Sequence, residues 1–180
     1  MDRLMTVEYE QDRLAALKQV QDQLRPVLGE SVASRLKMFK NGTLYVEAPL
    51  SATFMAWLID SVLVNGTAIG LGALYFVSSS VPNKDAGAVV IAFTLIFVLP
   101  LLYGWFYGDG RGVGALLAGT RLVRMKDGSR VGLRKAGWAM LIRTLLLPLT
   151  LLAALSGSSG GHEDIRVSID VHANDQLVRL

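Results

Sequence analysis

Two charged residues interrupt long apolar stretches, and they are the positions at which this chain is most able to do chemistry. Asp60 is the one charge between about Ala52 and Val77, and Arg143 is the one charge between about Trp138 and Leu155. A charge deep in a bilayer costs at least about 2.5–3.5 kcal/mol on insertion scales, so it is normally kept for a reason. Such a carboxylate can bind a cation, titrate, or pair with a cationic side chain.

The two charges lie at similar distances from the same end of their stretches. Asp60 is about eight residues in and Arg143 about six, which corresponds to depths of about 12 and 9 Å at the helical rise. Opposite charges at matched depth attract strongly in a low dielectric. The sequence therefore predicts an Asp60–Arg143 pair. The pair would either fix helix packing only, or belong to a site where Asp60 titrates or binds a cation during transport.

Small and polar residues predict a helix-packing face near Asp60. Ala56, Thr67 and Gly70 share its side of a helix. Gly66 and Gly70 also form a Gly-x-x-x-Gly spacing, which lets another helix approach closely. These residues are therefore expected to contact a neighbouring helix.

Features typical of an enzyme are missing from the sequence. The chain has no cysteine, which excludes disulfides, thiolate metal sites and a cysteine nucleophile. His162 and His172 match no metal-ligand spacing, and Gly110 to Gly119 lacks the lysine and hydroxyl residue of a nucleotide-binding loop. With a net charge of only +3, a nucleic-acid-binding surface is not expected. We expect no catalysis, no metal and no cofactor.

The apolar stretches predict an all-α membrane protein with three transmembrane helices. They run over about 52–77, 86–108 and 138–155. A helix needs roughly 20 apolar residues to cross the hydrocarbon. The third stretch is the shortest, so a re-entrant or interfacial segment is the alternative there.

Lysine and arginine set the predicted orientation, since they concentrate in cytoplasmic flanks. Residues 1–51 carry seven and the loop 109–137 carries another seven, whereas the connection 78–85 carries only Lys84. We therefore expect a cytoplasmic N-terminus and loop, and a flexible tail, 156–180, on the outer side. The loop cations are expected to contact anionic lipid headgroups or the loop itself: Arg111, Arg121, Arg124, Lys126, Arg130, Arg134 and Lys135.

The polar segments have recognisable patterns of their own. Residues 1–51 contain an amphipathic helical region, divided at Pro26, that would pack on the protein's own loop or on headgroups, or dock a partner protein. Residues 121–125 and 130–133 flank a turn and predict a small cytoplasmic β-hairpin. Alternation over 165–171 predicts one strand in the tail, and a lone strand needs a partner. Another copy or another protein would supply it.

The sequence resembles the RDD family of bacterial integral membrane proteins over about residues 50–150. The resemblance rests on Ala56-Trp57-Leu58-Ile59-Asp60, on the glycine-rich run from Gly110 to Val123, on the Asp127-Gly128 turn and on Arg143. Thr53 stands where the family has its arginine, and the second family aspartate is not matched. The resemblance implies a bacterial inner-membrane protein, with ion or solute transport suggested for the family.

Two functions are therefore expected to compete. The first is a non-catalytic accessory or assembly subunit whose spans pack through Asp60, Gly66 and Gly70. The second is an oligomeric ion or proton-coupled transporter, since three helices are too few to enclose a pathway. Membrane lipid, further copies of the chain or other membrane-complex subunits are the expected partners.

Overall fold

Two long apolar helices, two shorter helical segments and a small mixed lobe make up the described part of the chain. The structure, a computed structural model, describes residues 2–106, 111–132, 135–145 and 166–180. In chain order the elements are α1 (Asp2–Leu28), α2 (Glu30–Ala33), β1 (Leu36–Met38), β2 (Leu44–Val46), α3 (Leu50–Ser78), α4 (Lys84–Phe106), α5 (Val113–Leu117), β3 (Thr120–Arg124), α6 (described over residues 135–145), β4 (Arg166–Asp170) and α7 (Val171–Val178).

Helices α3 and α4 are long and apolar enough to cross a membrane, by length and composition. They pack closely because small residues lie at the contact. A Cβ built at Gly72 would lie 2.9 Å from the Ala88 carbonyl oxygen and from the Ala92 Cβ. The first two predicted spans thus correspond to candidate membrane helices, whose bounds differ from the predicted ones by about two residues.

The third predicted span is not confirmed as a complete crossing. Residues 135–145 are helical, whereas 146–155 lie outside the described residues. Glycine on each side brings α4 and α6 together. A Cβ at Gly104 would lie 2.5 Å from the Ala136 carbonyl oxygen, and one at Gly137 would lie 2.8 Å from that of Leu101. The described part of α6 therefore packs directly against the end of α4.

Three segments that are distant in sequence assemble into what we call the head lobe, residues 2–48, 119–132 and 166–180. Strands β1 and β2 form an antiparallel hairpin, and β3 pairs antiparallel with β4 from Thr120↔Asp170 to Arg124↔Arg166. A single bridge, Glu47↔Ile169, links the two sheets. The predicted all-α class is therefore incomplete, because the head lobe contains two small sheets.

The core of the head lobe draws on all three segments. One buried cluster contains Leu36, Val46 and Ala173, against which Leu17, Val20 and Leu24 of α1 pack. A second cluster contains Phe39, Tyr45 and Val123. The amphipathic helical region predicted near the N-terminus is thus present, and its apolar face covers the chain's own sheet. The region is divided at Gly29, whose φ is 81° and which separates α1 from α2, and not at Pro26, which lies inside α1.

Within the described residues, which stop at 132 here, the predicted β-hairpin of the loop is present as a turn and one bridge. Ser129 donates from its amide and its hydroxyl to Asp127 Oδ1, at 3.0 and 2.6 Å, and these hydrogen bonds lower the pKa of that carboxyl. Beyond the turn, Val123↔Arg130 is an isolated bridge. β3 instead pairs over its whole length with β4. Val167 and Ile169 of β4 pack on the second cluster, which favours this partner over the loop's own return segment.

The tail lies beside the N-terminal segment, so its predicted position on the opposite side is wrong. Arg35 forms an ion pair with Asp170 at 3.0 Å, and the Ala48 amide donates to the Ser168 carbonyl at 2.9 Å. Residues 166–180 are a strand and a helix packed on the head lobe, and only 156–165 of the predicted flexible tail lie outside the described residues. The predicted tail strand pairs within its own chain.

The Asn174 side chain connects the tail to β2 through two hydrogen bonds with the backbone of Val46. Its Oδ1 accepts from the Val46 amide at 3.1 Å, and its Nδ2 donates to the Val46 carbonyl at 3.0 Å and to that of Asp170 at 2.6 Å. Asn174→Ala is expected to destabilise the head lobe by about 1–3 kcal/mol, because backbone groups of a buried strand lose their partners. Amide hydrogen exchange of β2 measures the effect. The exposed neighbour Asp175→Ala is the control, and equal exchange in both variants would contradict this role.

Candidate functional site

Asp60 lies at the junction of three helices and accepts hydrogen bonds from two of them. Its side chain is 2% exposed. Oδ1 accepts from the Gly114 amide at 2.7 Å and from the Tyr103 hydroxyl at 2.8 Å. That hydroxyl in turn accepts from the Val113 amide at 2.6 Å. We call Asp60, Tyr103, Val113 and Gly114 the Asp60 cluster. It joins α3, α4 and the start of α5.

The Asp60 cluster satisfies amides that α5 cannot satisfy itself. The first amides of any helix have no partner within that helix, and a carboxylate is a favourable acceptor for them. Gly112, the residue before α5, offers no side chain for this purpose. The carboxylate of Asp60, which belongs to α3, therefore caps the N-terminus of α5.

The glycine-rich run allows this close approach. A Cβ at Gly112 would lie 2.5 Å from Asp60 Oδ1, and one at Gly114 would overlap the carbonyl oxygen of Ala56. Gly119 has a φ of 65°, in the left-handed region that favours glycine. The run thus has a packing explanation: it brings α5 onto α3 and turns the chain into β3.

Arg143 lies near the cluster without a direct ion pair to it. The residue is 7% exposed, and the Asp60 carboxylate is near enough to act on its charge. Among the ion pairs of 4.0 Å or less in the described residues, Asp60 and Arg143 do not form one. The structure places the two groups at the same junction. A direct contact between them stays a prediction.

Several buried polar atoms at this junction have no hydrogen-bond partner in the described structure. They are Oδ2 of Asp60 and the three guanidinium nitrogens of Arg143. Next along α6, the Thr144 carbonyl accepts from Trp57 Nε1 at 3.4 Å and from Ser61 Oγ at 3.5 Å, so α6 rests on α3 here. The arrangement leaves polar groups of opposite charge inside an otherwise apolar region.

The predicted packing residues divide into two groups. Ala56 is fully buried against α5. Gly66, Thr67 and Gly70 are exposed, and a Cβ at either glycine would meet nothing within 4 Å. Within the described chain, no other element therefore comes against the Gly-x-x-x-Gly spacing.

The predicted headgroup-contacting cations lie around β3 and the turn that follows it. Arg111 donates to the Thr120 carbonyl at 3.4 Å and Arg124 to that of Val131 at 2.9 Å. Lys126, Arg130 and Lys135 are exposed, Arg121 is half-buried, and Arg134 lies outside the described residues. Their contact with lipid stays a prediction.

Sequence reasoning found Asp60 but missed its partners. The sequence does not link Tyr103 to Asp60, and an amide such as that of Gly114 has no side-chain signature. The glycine run was the one available signal, since close backbone approach requires glycine. Among the described residues no group of three or more His, Asp or Glu could hold a metal ion.

Comparisons with protein-family models, with curated proteins and with solved structures give no match to this chain. The resemblance to the RDD family accordingly stays a prediction.

Proposed function

We propose that this chain is a non-catalytic inner-membrane protein of the RDD type that serves as an accessory or assembly subunit of a membrane complex. The observation that carries the proposal is the engagement of Asp60 Oδ1 by Tyr103 and by the Gly114 amide. A buried carboxylate that accepts hydrogen bonds in this way has a structural task, because removing it would leave those donors unpaired. Asp60 then braces the membrane helices against the segment that leads to the head lobe.

The head lobe is the part that would meet other subunits. It joins the two membrane helices through short connections, at residues 47–49 before α3 and through α5 after α4. A brace at Asp60 therefore fixes the position of the lobe relative to α3 and α4. By the distribution of lysine and arginine, this lobe lies on the cytoplasmic side, with the tail on the same side as the N-terminus. Further copies of the chain, other subunits and lipid are its expected partners.

A transporter is the second candidate, and one observation favours it. Oδ2 of Asp60 and the guanidinium of Arg143 are buried polar groups without hydrogen bonds from the described residues. Such groups usually bind water or an ion. A water-filled site between them would let Asp60 titrate, with an oligomer supplying the remainder of a pathway.

A flux assay separates the two candidates. Purified protein is reconstituted into vesicles with a pH gradient, and sodium or potassium is added while internal pH is followed by a dye. We expect no cation-dependent proton flux from the wild type above empty vesicles, since an accessory subunit carries none. If the wild type carries flux, and Asp60→Asn abolishes it without lowering thermal stability, the accessory-subunit proposal is overturned. Tyr103→Phe serves as a matched control that disturbs the Asp60 cluster but keeps the carboxylate.

A further inference from the structure

The short helix α5 has an exposed apolar face to which neither candidate function gives a role. Leu116 is 49% exposed and Leu117 is 71% exposed, whereas Gly114 and Ala115 on the other face are buried. Residues 112–120 contain no charged side chain. Covering two neighbouring leucines removes apolar surface from water, which is favourable. The position of α5 relative to the membrane helices indicates what covers them.

Contacts with α3 fix the level of α5 along the membrane helices. Gly112 lies against the carboxylate of Asp60, and Gly114 lies against the carbonyl of Ala56. About 9 and 15 Å of helix separate Ala56 and Asp60 from Leu50, the first residue of α3, at a rise of 1.5 Å per residue. α5 therefore runs beside the first part of an apolar helix that is long enough to cross a membrane.

The surrounding surface is apolar at the same level. Phe54 and Met55 are exposed on the part of α3 that leads to α5. Trp105, at the end of the α4 candidate span, is also exposed, and it is in the same turn of α4 as Tyr103, whose hydroxyl accepts from the Val113 amide. Tryptophan is typical of membrane–water interfaces. The start of α5 is thus level with the end of the α4 span.

Five backbone amides of this segment are bonded within the protein. Those of Val113 and Gly114 donate to the Tyr103 hydroxyl and to Asp60 Oδ1, at 2.6 and 2.7 Å. The next three donate to carbonyls of the same segment, at 2.9 to 3.3 Å: Leu116 to Gly112, Ala118 to Gly114 and Gly119 to Leu116. Backbone amides must be paired in this way where lipid excludes water, whereas in a solvated loop water could accept from them. The pairing is a second feature that suits lipid.

We propose that residues 112–118 form an interfacial segment embedded in the cytoplasmic leaflet, with Leu116 and Leu117 among the acyl chains. The segment is deepest near Gly112, at the level of Asp60. It leaves the bilayer at Gly119, whose carbonyl accepts from the Val171 amide of the head lobe at 2.9 Å. The inference rests on the membrane placement that both candidate functions share, and it adds a lipid-contacting surface outside the two candidate spans.

Nitroxide labels test this environment directly, and a chain without cysteine allows each label to be placed alone. Leu117→Cys carries the test label. Val62→Cys, at an exposed position of α3, is the lipid reference, and Asp175→Cys, at an exposed position of α7, is the water reference. Each variant of the full chain is reconstituted into vesicles of phosphatidylcholine and phosphatidylglycerol. The collision rates of the label with oxygen and with a water-soluble nickel chelate are then measured.

We expect the Leu117 label to collide often with oxygen and rarely with nickel, because oxygen concentrates in hydrocarbon and the chelate stays in water. Its ratio of the two rates should exceed that of the Asp175 label severalfold. A ratio equal to that of the Asp175 label would place α5 in water. Low collision rates with both reagents would mean that a second copy or another protein covers the leucines. Either result overturns the proposal.

The Val62 label separates this inference from the membrane placement on which it rests. A water-like Val62 label would overturn both. A lipid-like Val62 label beside a water-like Leu117 label would overturn the interfacial segment alone.

Reaction with a water-soluble maleimide gives an independent measurement on the unlabelled variants. Leu117→Cys in vesicles should react at least about tenfold more slowly than Asp175→Cys, because only a thiolate, which needs water, attacks the reagent. The two variants should react equally fast once the protein is unfolded in sodium dodecyl sulfate. Equal rates in intact vesicles would contradict the embedding of α5.

Discussion

Asp60→Ala is expected to lower the free energy of unfolding by about 2–6 kcal/mol, because two buried donors lose their acceptor at about 1–3 kcal/mol each. The substitution removes the acceptor for the Gly114 amide and the Tyr103 hydroxyl. It also removes the negative charge that acts on buried Arg143. Two buried donors would then lose their acceptor, and Arg143 would lose the nearby opposite charge.

Thermal unfolding in a fixed detergent measures this effect, with two variants for comparison. Asp60→Asn keeps an oxygen acceptor and loses only the charge, so it should be less destabilising than Asp60→Ala. Val62→Ala lies two residues away on α3 with a side chain that is 64% exposed, and it should change little. An Asp60→Ala protein as stable as Val62→Ala would show that Asp60 is not a brace.

Gly114→Ala is expected to destabilise the protein by about 1–3 kcal/mol, although alanine is the better helix former by about 1 kcal/mol. The added methyl overlaps the carbonyl oxygen of Ala56. That oxygen belongs to the backbone of α3 and cannot turn aside, so α5 must move away and lengthen its hydrogen bond to Asp60. The steric effect therefore outweighs the helix propensity.

Gly66→Ala and Gly70→Ala are matched controls with the opposite expected sign. A Cβ at either position meets nothing within 4 Å, so only the gain in helix propensity remains. Melting temperatures in the same detergent should fall for Gly114→Ala and stay level or rise for the two controls. A fall of equal size in all three would contradict the close approach of α5, and would indicate instead that another copy packs on the Gly66–Gly70 face.

The long apolar helices could be predicted because their signal lies in one continuous stretch. Composition alone places α3 and α4, and the rarity of charge in such stretches singles out Asp60. The head lobe could not be predicted in the same way. Arg124 and Arg166 face each other across the β3–β4 pair but are 42 residues apart (166 − 124), and alternation does not specify which strand a partner is.

The error over the tail has a physical origin. Its position was derived from the number of spans, and the third of these is not confirmed as a crossing. The contacts that decide the question are an Arg35–Asp170 ion pair and an asparagine that binds the backbone of Val46. Asparagine binds backbone in many turns and caps, so Asn174 has no distinctive pattern in the sequence.

At the candidate site, Asp60 could be predicted from the sequence but its hydrogen-bond partners could not. A charged residue in a long apolar stretch is visible in the sequence. A backbone amide such as that of Gly114 is not, because every residue except proline has one. Of the contact between Asp60 and α5, only the requirement for glycine at positions 112 and 114 is visible in the sequence. That requirement indicates close packing, without saying against which helix.

The β3–β4 pair determines when the head lobe can fold during synthesis of the chain. At about 5–20 residues per second, β3 leaves the ribosome several seconds before β4 does. During that interval the second core cluster lacks Val167 and Ile169, and the Arg35 side chain lacks Asp170. The head lobe closes only after both apolar helices, α3 and α4, have been synthesised. A partner that recognises the closed lobe would therefore bind only chains already synthesised through β4.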